Sequence, residues 1–345
     1  MLFDNGAACR YWLGSLAEEE GADRLLGEDV STVVDMARIY ETGLSPLDFG
    51  AEIQLTGKSG IDLSVQYALS DFVLSNPLQH PLVASAGDFF QSYTRQLTEK
   101  GFAHLIANKY AYLEADTSKG EAGAVAIFLN LSGAAAQEML PFILQEQQQS
   151  ERLTAVQDIL QSVIAELAPW YFGFMLSREE LPLRLSFYVR EEAGLSGMLS
   201  ALRRLGIEPG AGAEQLTAVD ELQLFTYMLD VDVRPDGSLG DTWGVELVPR
   251  AVLPVQQQRM LRGESFAGFT ELLVRWGMAD DRSDVLPRCF WSGDYRDASS
   301  GVYVMYSYLS HLKLRWHDGT PYPAKVYIQL RNIQKQTTIN ESLYR

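Results

Sequence analysis

Leu183-Arg184-Leu185-Ser186-Phe187-Tyr188-Val189-Arg190 alternates two kinds of side chain without a break. Successive residues of a strand point to opposite faces, so this stretch predicts a strand with one apolar and one polar face. Just before it, the chain turns around Arg178-Glu179-Glu180, and a strand from about Tyr171 completes a hairpin over 171–190. Just after it, Leu195, Met198, Leu199 and Leu202 recur at helical spacing and stop near Gly206. That is the stripe of an amphipathic helix. The unit is therefore strand, turn, strand, helix.

The same unit recurs in both directions, with further hairpins predicted over 49–69, 109–132, 224–248 and 302–331. Their turns are Lys58-Ser59-Gly60, Thr117-Ser118-Lys119-Gly120, Arg234-Pro235-Asp236-Gly237 and His317-Asp318-Gly319-Thr320. Such Gly-, Pro- and Asp-bearing tetrads favour reversals. Ile61-Asp62-Leu63-Ser64-Val65-Gln66-Tyr67 repeats the strict alternation. Helical stripes follow at Phe89, Phe90, Tyr93 and Leu97, at Leu153, Val156, Leu160 and Val163 in a helix running to about Leu167, and at Phe269, Leu272, Leu273 and Trp276. Another helical segment, 7–43, precedes the first hairpin. The glutamine-rich run at 145–149 reads as a solvated face or a joint between two helices.

Ten strands in five sequential hairpins can close into a barrel. The expected fold is α+β: a ten-stranded antiparallel β-barrel of five ββ hairpins surrounded by α-helices. One domain is expected over 1–345, with a helical segment, 1–48, packing outside the barrel. Helices cover apolar sheet faces, so the polar faces would line the lumen. Alternation places Glu52, Gln54, Asp62, Ser64, Gln66, Phe128, Asn130, Arg184, Ser186, Tyr188 and Arg190 there. The later hairpins add Asp230, Asp232, Glu246, His311, Lys313, Arg315, Lys325, Tyr327, Gln329 and Arg331. The alternative is an open sheet that shows these residues to water.

The composition narrows the function. The chain has 345 residues, 47% of them hydrophobic, and a net charge of −17. That acidity argues against nucleic acid, whose phosphates require basic stripes. Cys9 and Cys289 are the only cysteines. They are too few for a disulfide framework and fit reduced thiols in the cytoplasm. The N-terminus lacks a signal-peptide pattern, and no apolar run reaches the ~18 residues of a membrane helix. Asp280-Asp281-Arg282-Ser283-Asp284 is a literal DDxxD. All-helical prenyl synthases use that pattern to hold diphosphate through Mg²⁺. In a strand-rich chain it reads as a solvated acidic loop. The histidines lack metal-ligand spacing, and His311 reads as a lumen base or a hydrogen-bonded structural residue.

The five-fold hairpin–helix recurrence with a polar lumen resembles the ABBA prenyltransferases, the PT-barrel family of indole, phenol and cyanobactin peptide prenyltransferases. Arg184-Leu185-Ser186-Phe187-Tyr188 is similar to the family's Arg-x-Lys-x-Tyr strand, with Ser186 in the lysine's place. Lys325-Val326-Tyr327-Ile328-Gln329 is similar to another of its Lys-x-Tyr strands. Glu52 stands where the family places an acid that contacts the acceptor.

The resemblance implies transfer of a dimethylallyl- or geranyl-type group from an allylic diphosphate to an aromatic small molecule or peptide side chain, in natural-product biosynthesis. Glu52 would be the catalytic carboxylate. Arg184, Tyr188, Lys313, Arg315, Lys325, Tyr327 and Gln329 would bind the diphosphate. The residue types suit that chemistry: cations and hydroxyls stabilise the departing anion, and aromatic faces stabilise the allylic cation. No cofactor is required on this reading, and Mg²⁺ is optional because basic residues can take its place. Two alternatives remain open. One is a non-catalytic peptide- or isoprenoid-binding protein, and the other is a different peptide-tailoring enzyme on an unrelated α+β fold.

Overall fold

A computed structural model describes residues 5–18, 22–26, 48–57, 61–68, 110–115, 125–131, 134–146, 150–176, 180, 182–290, 292–297 and 301–334. The alternating segments all form strands: β1 Asp48–Gln54, β2 Ile61–Ala68, β3 Tyr110–Ala115, β4 Val125–Asn130, β5 Leu167–Met175, β6 Leu183–Val189, β7 Phe225–Val233 and β8 Leu239–Pro249. After β9 (Ser292–Asp297) come the long β10 (Gly301–His317), the two-residue β11 (Thr320–Pro321) and β12 (Lys325–Gln334).

From β1 to β8, each strand pairs antiparallel with the next. The ring then closes: β8 pairs with β10, β10 with β12, and β12 with β1. Ten strands in five hairpins form the barrel, and closure removes the sheet edges that an open arrangement would leave unpaired. β9 and β11 attach to β10 outside this ring.

The apolar faces look outward. Phe225 of β7 packs on Phe269 with ring centroids 5.0 Å apart. Trp243 of β8 and Trp316 of β10 stack at 4.4 Å. A Cβ added at Gly212 would lie 2.8 Å from Trp243, so the glycine permits this close helix approach. The covering helices are α1 Asn5–Ala17, α2 Ala22–Leu26, α3 Ala134–Glu146, α4 Ser150–Val163, α5 Gly194–Arg204, α6 Ala211–Glu221, α7 Pro254–Leu261 and α8 Glu264–Arg275. Leu195, Met198 and Leu202 of α5 are buried against the barrel, together with Leu183, Leu185 and Phe187. Trp12, Leu13, Leu25 and Leu26 from the first two helices join the same core.

Several boundaries differ from the sequence reading. The helix expected to reach Leu167 stops at Val163, and β5 starts at Leu167 rather than near Tyr171. Pro169 explains this, because it cannot extend a helix and it biases its predecessor toward extended backbone. The strand absorbs the proline in an irregularity between Pro169 and Tyr171. Helix α6 is an addition to the expected pattern. The helical stripe at 89–97, the segment 27–47 and the run 147–149 lie outside the described residues.

β10 carries a register shift between Leu309 and His311. Its first part pairs with β9 and its last part with β8, which leaves a gap in the ladder at 307–311. Gln257 of α7 fills it: its side chain donates to the Leu309 carbonyl and accepts from the Leu309 N–H, both at 3.0 Å. Residues 281–288 form a 3₁₀ helix rather than a loop. Asp280 caps it and pairs with Arg282, which also bonds the Gly57 carbonyl, while Asp281 pairs with Arg24. The DDxxD segment thus clasps the β1–β2 turn to α2 and is not placed in the barrel interior.

Candidate active site

Two ionic clusters line opposite parts of the lumen. The first centres on Glu52, which keeps only 2% of its surface. Ladder register puts Glu52 of β1 opposite Asp62 of β2 and Tyr327 of β12, and puts Glu114 of β3 opposite Ser64 of β2. Lys325 and Tyr327 both donate to Glu52. Glu114 is also hydrogen-bonded to it. One carboxylate oxygen from each of Glu52, Asp62 and Glu114 lies within 4.8 Å of the other two.

Burial pushes the Glu52 carboxyl up. The Lys325 charge and hydrogen bonds from Glu114, Lys325 and Tyr327 outweigh it and hold Glu52 well below the usual carboxylate range. Glu114 moves the other way, since burial and the Glu52 charge push it well above that range. Burial and the adjacent Glu52 likewise push the Tyr327 phenol up, so it stays a donor. Three carboxyl groups this close could suit a cation by spacing. Lys325 already supplies a positive charge there.

The second cluster spans β6, β7, β8 and β10. Arg184 grips Asp232 with two parallel hydrogen bonds of 2.8 and 3.0 Å. Ser186, in the lysine's place of the family strand, donates to Asp230 at 2.5 Å. Lys313 pairs with Asp230, and also with Glu246 at 3.2 Å. Burial and Asp230 raise the Glu246 carboxyl to about 7. Lys313 and Arg184 overcome the burial of Asp230 and keep it below its ordinary value. Arg315 lies over the Tyr322 ring at 5.6 Å. Between these groups is a tight cleft, lined by Arg184, Asp230, Asp232, Thr242, Trp243, Gly244, Lys313 and Arg315.

His311 connects the two clusters. Its ring stacks on Tyr327 at 4.0 Å, and Nε2 lies 3.7 Å from Glu246. Burial and the Lys313 charge lower it to about 3, so the imidazole is neutral. An aromatic wall completes the lumen. Gln66 donates to the Tyr112 hydroxyl at 2.7 Å, and the Tyr112 and Tyr171 rings meet edge-on at 5.4 Å. Trp170 reaches both Tyr171 and Tyr188. Phe128 crosses the backbone at Gly173, where a Cβ would come within 2.5 Å of its ring. Tyr308 donates to Gln329 at 2.5 Å, and Arg331 lies over the Tyr308 ring.

The structure brings the sequence-predicted residues together unevenly. Arg184 and Lys313 share one cluster, with Arg315 on its cleft. Lys325 and Tyr327, expected on the diphosphate, are bonded to Glu52. Gln329 is tied to Tyr308. Tyr188 sits nearer solvent, at 36% exposure, with its hydroxyl 3.4 Å from Thr226. Arg190 lies outside the lumen list as built: it donates to the Ile164 carbonyl just beyond α4. Sequence reasoning missed Glu114, Tyr112 and Tyr171. The signal for the β3 pair was there, since Ala111 and Leu113 alternate with Tyr112 and Glu114.

No protein-family model matches this sequence, and no curated protein does. The fold does match solved structures. A 5-dimethylallyltryptophan synthase from Streptomyces coelicolor aligns over 97% of both chains, with 13% identity and a TM-score of 0.52. A 6-dimethylallyltryptophan synthase from Micromonospora olivasterospora, solved with DMASPP and Trp, covers 95% of this chain and 97% of its own, at 14% identity and TM-score 0.53. AnaPT from Neosartorya fischeri covers 98% and 94%, at 9% identity and TM-score 0.53. At these identities the likeness is one of fold, and the fold is the ABBA, or PT, barrel.

Proposed function

We propose that this ABBA-barrel protein is a prenyltransferase that moves a dimethylallyl- or geranyl-type group from an allylic diphosphate to an aromatic acceptor. The acceptor is a small molecule or a peptide side chain, in natural-product biosynthesis. The observation that carries the reading is Glu52: an ionised carboxylate, buried in a closed barrel and held by Lys325 and Tyr327, with an aromatic wall in the same lumen.

In the reaction the allylic C–O bond breaks, and its electron pair leaves with the diphosphate. An acceptor carbon then bonds the allylic carbon, and the resulting arenium loses its proton to Glu52. A carboxylate held so far below its usual range is a weak base. It suits loss of a proton from an arenium, which is a strong acid, rather than removal from a neutral N–H. Tyr112, Tyr171 and Phe128 would face the cation, with about 0.5–2 kcal/mol from each well-placed ring. The closed wall would keep out water that quenches it.

Arg184, Lys313 and Arg315 form the anion side in this proposal, with Tyr188 and Gln329 as neutral donors. Lys325 and Tyr327 stand at its border with the acid side. Among the described residues, Glu114 and Glu246 are carboxyls raised by their surroundings. With protons on both, less negative charge faces Arg184, Lys313 and Arg315. A diphosphate would then displace Asp230 and Asp232 as the partners of Lys313 and Arg184. Mg²⁺ arriving with the donor would ease that exchange but is not required by it.

The test is incubation with dimethylallyl and geranyl diphosphate and a panel of tryptophan, tyrosine, phenols and aromatic peptides. An isoprenoid mass gain on one acceptor is expected. No gain with any pair would end this reading. The engagement of Arg184, Lys313 and Lys325 by acids also favours a second one, a barrel that binds an isoprenoid or peptide without turnover. Saturable binding with no product would support it.

A further inference from the structure

We propose that Glu52 and Glu114 share a single proton inside the chamber, and that Glu114 is a positioning residue that keeps Glu52 ionised and aimed at the acceptor. The catalytic half of this statement rests on the prenyltransferase reading, and the protonation half does not.

The geometry carries it. Three neighbouring strands each contribute one carboxyl group, and one oxygen from each lies within 4.8 Å of the other two. The described cation in contact is Lys325, and it is bonded to Glu52. Like charges this close in a poorly solvated space do not all remain ionised. The donors decide where the proton stays. Glu52 receives Lys325 and Tyr327, whereas Glu114 pairs in register with Ser64 and Ala126. A hydrogen bond between Glu52 and Glu114 needs a proton on one of them, and Glu114 is the one without the ammonium. Asp62 on β2 adds a further negative charge next to Glu114, and the neutral His311 of β10 adds none. Glu246 on β8 faces Tyr327 from farther away.

A carboxylate offers about four acceptor positions. Lys325, Tyr327 and Glu114 occupy three of those on Glu52. The fourth is left for an N–H or O–H of the acceptor, which it orients, and later for the proton that the arenium releases. Glu114 keeps its own proton throughout. The site therefore selects an acceptor that presents a donor, not one that presents a carboxylate.

Infrared spectroscopy of the full chain tests the proton without any turnover. Well above the Glu246 value, the wild type should show the carbonyl stretch of a protonated carboxyl, shifted in D₂O. Glu114→Gln should abolish the band, and Glu246→Gln should leave it. No band, or a band that survives Glu114→Gln, overturns the shared proton even if prenyl transfer is found. If Glu114→Gln does not fold, side-chain ¹³C NMR of glutamate-labelled wild type replaces it. One glutamate carboxyl that stays neutral past that pH supports the proposal, and none overturns it.

With an active acceptor in hand, the wild type should lose rate in alkali as Glu114 gives up its proton, and Glu114→Gln, which still donates, should hold kcat within about threefold and lack that fall. Glu114→Ala should lose about tenfold to a hundredfold in kcat, the value of one charge-assisted hydrogen bond, with donor KM unchanged. Equal losses in the two variants would overturn the positioning role.

Discussion

The wall formed by β1, β2, β3 and β12 and the wall formed by β6, β7, β8 and β10 are built from the same residue types in different proportions. The first sets Glu52, Asp62 and Glu114 against Lys325. The second sets Asp230, Asp232 and Glu246 against Arg184, Lys313 and the nearby Arg315. Among the described residues the first wall has three carboxyls to one cation, an excess that favours a proton on one of them. In the second wall Glu246 is raised only to about 7, and Asp230 and Asp232 form ion pairs, in which each charge offsets the burial of the other. The first wall is therefore suited to proton handling. The second is suited to exchanging one anion for another.

The sharpest way to break this comparison is Glu52→Gln. It keeps the shape and removes the charge, so the expected loss in kcat is about 10²- to 10⁴-fold. Donor affinity should be unchanged, measured by titration with a non-hydrolysable allylic diphosphate. A variant that binds donor more weakly but turns over normally would reverse the two walls.

Arg184→Ala tests the other side. Arg184 keeps 6% of its surface, and its loss takes away the two hydrogen bonds it gives to the buried Asp232. Breaking a buried pair in this way costs about 3–5 kcal/mol, seen as a lower Tm. Arg184→Ala with Asp232→Ala should recover much of that stability and still bind donor poorly. If the double variant binds donor as the wild type does, the second wall is structural only.

The mildest test uses pH. Glu246 is raised from 4.5 to about 7, so its favourable contribution is complete below pH 4.5 and is lost as pH rises through 7. Glu52 and Asp230 are depressed, so their contribution is present above their ordinary values and lost only in acid. Thermal melts from pH 5 to 8 should show Tm declining in the wild type and declining less in Glu246→Gln. Identical slopes would mean that the lumen does not raise Glu246.

Much of the fold was legible because the strand signal is local. Leu183 to Val189 alternates whatever it pairs with, and the turn at Arg234-Pro235-Asp236-Gly237 carries its own hydrogen bond, from the Gly237 N–H to the Arg234 carbonyl at 2.9 Å. Two features escaped for physical reasons. The shift between Leu309 and His311 inverts alternation within β10, so strict parity from His311 would turn Tyr306 and Tyr308 outward. Instead, Tyr308 meets Gln329 in the lumen. Glu114 and Tyr112 escaped because Tyr110 and Tyr112 share their face of β3 while small alanines occupy the other, which blurs the apolar–polar contrast between the faces.

The sequence by itself determined which side chains share a face within each unbroken strand, because the strand period of two is a local property of the backbone. Only the tertiary structure decided which of them touch. Lys325 reaches Glu52 across 273 residues, and Lys313 reaches Glu246 across 67, because β12 pairs with β1 and β8 with β10. Those closures also set the protonation states, since the charge on a buried carboxyl depends on which neighbours lie within a few ångströms rather than on its place in the chain.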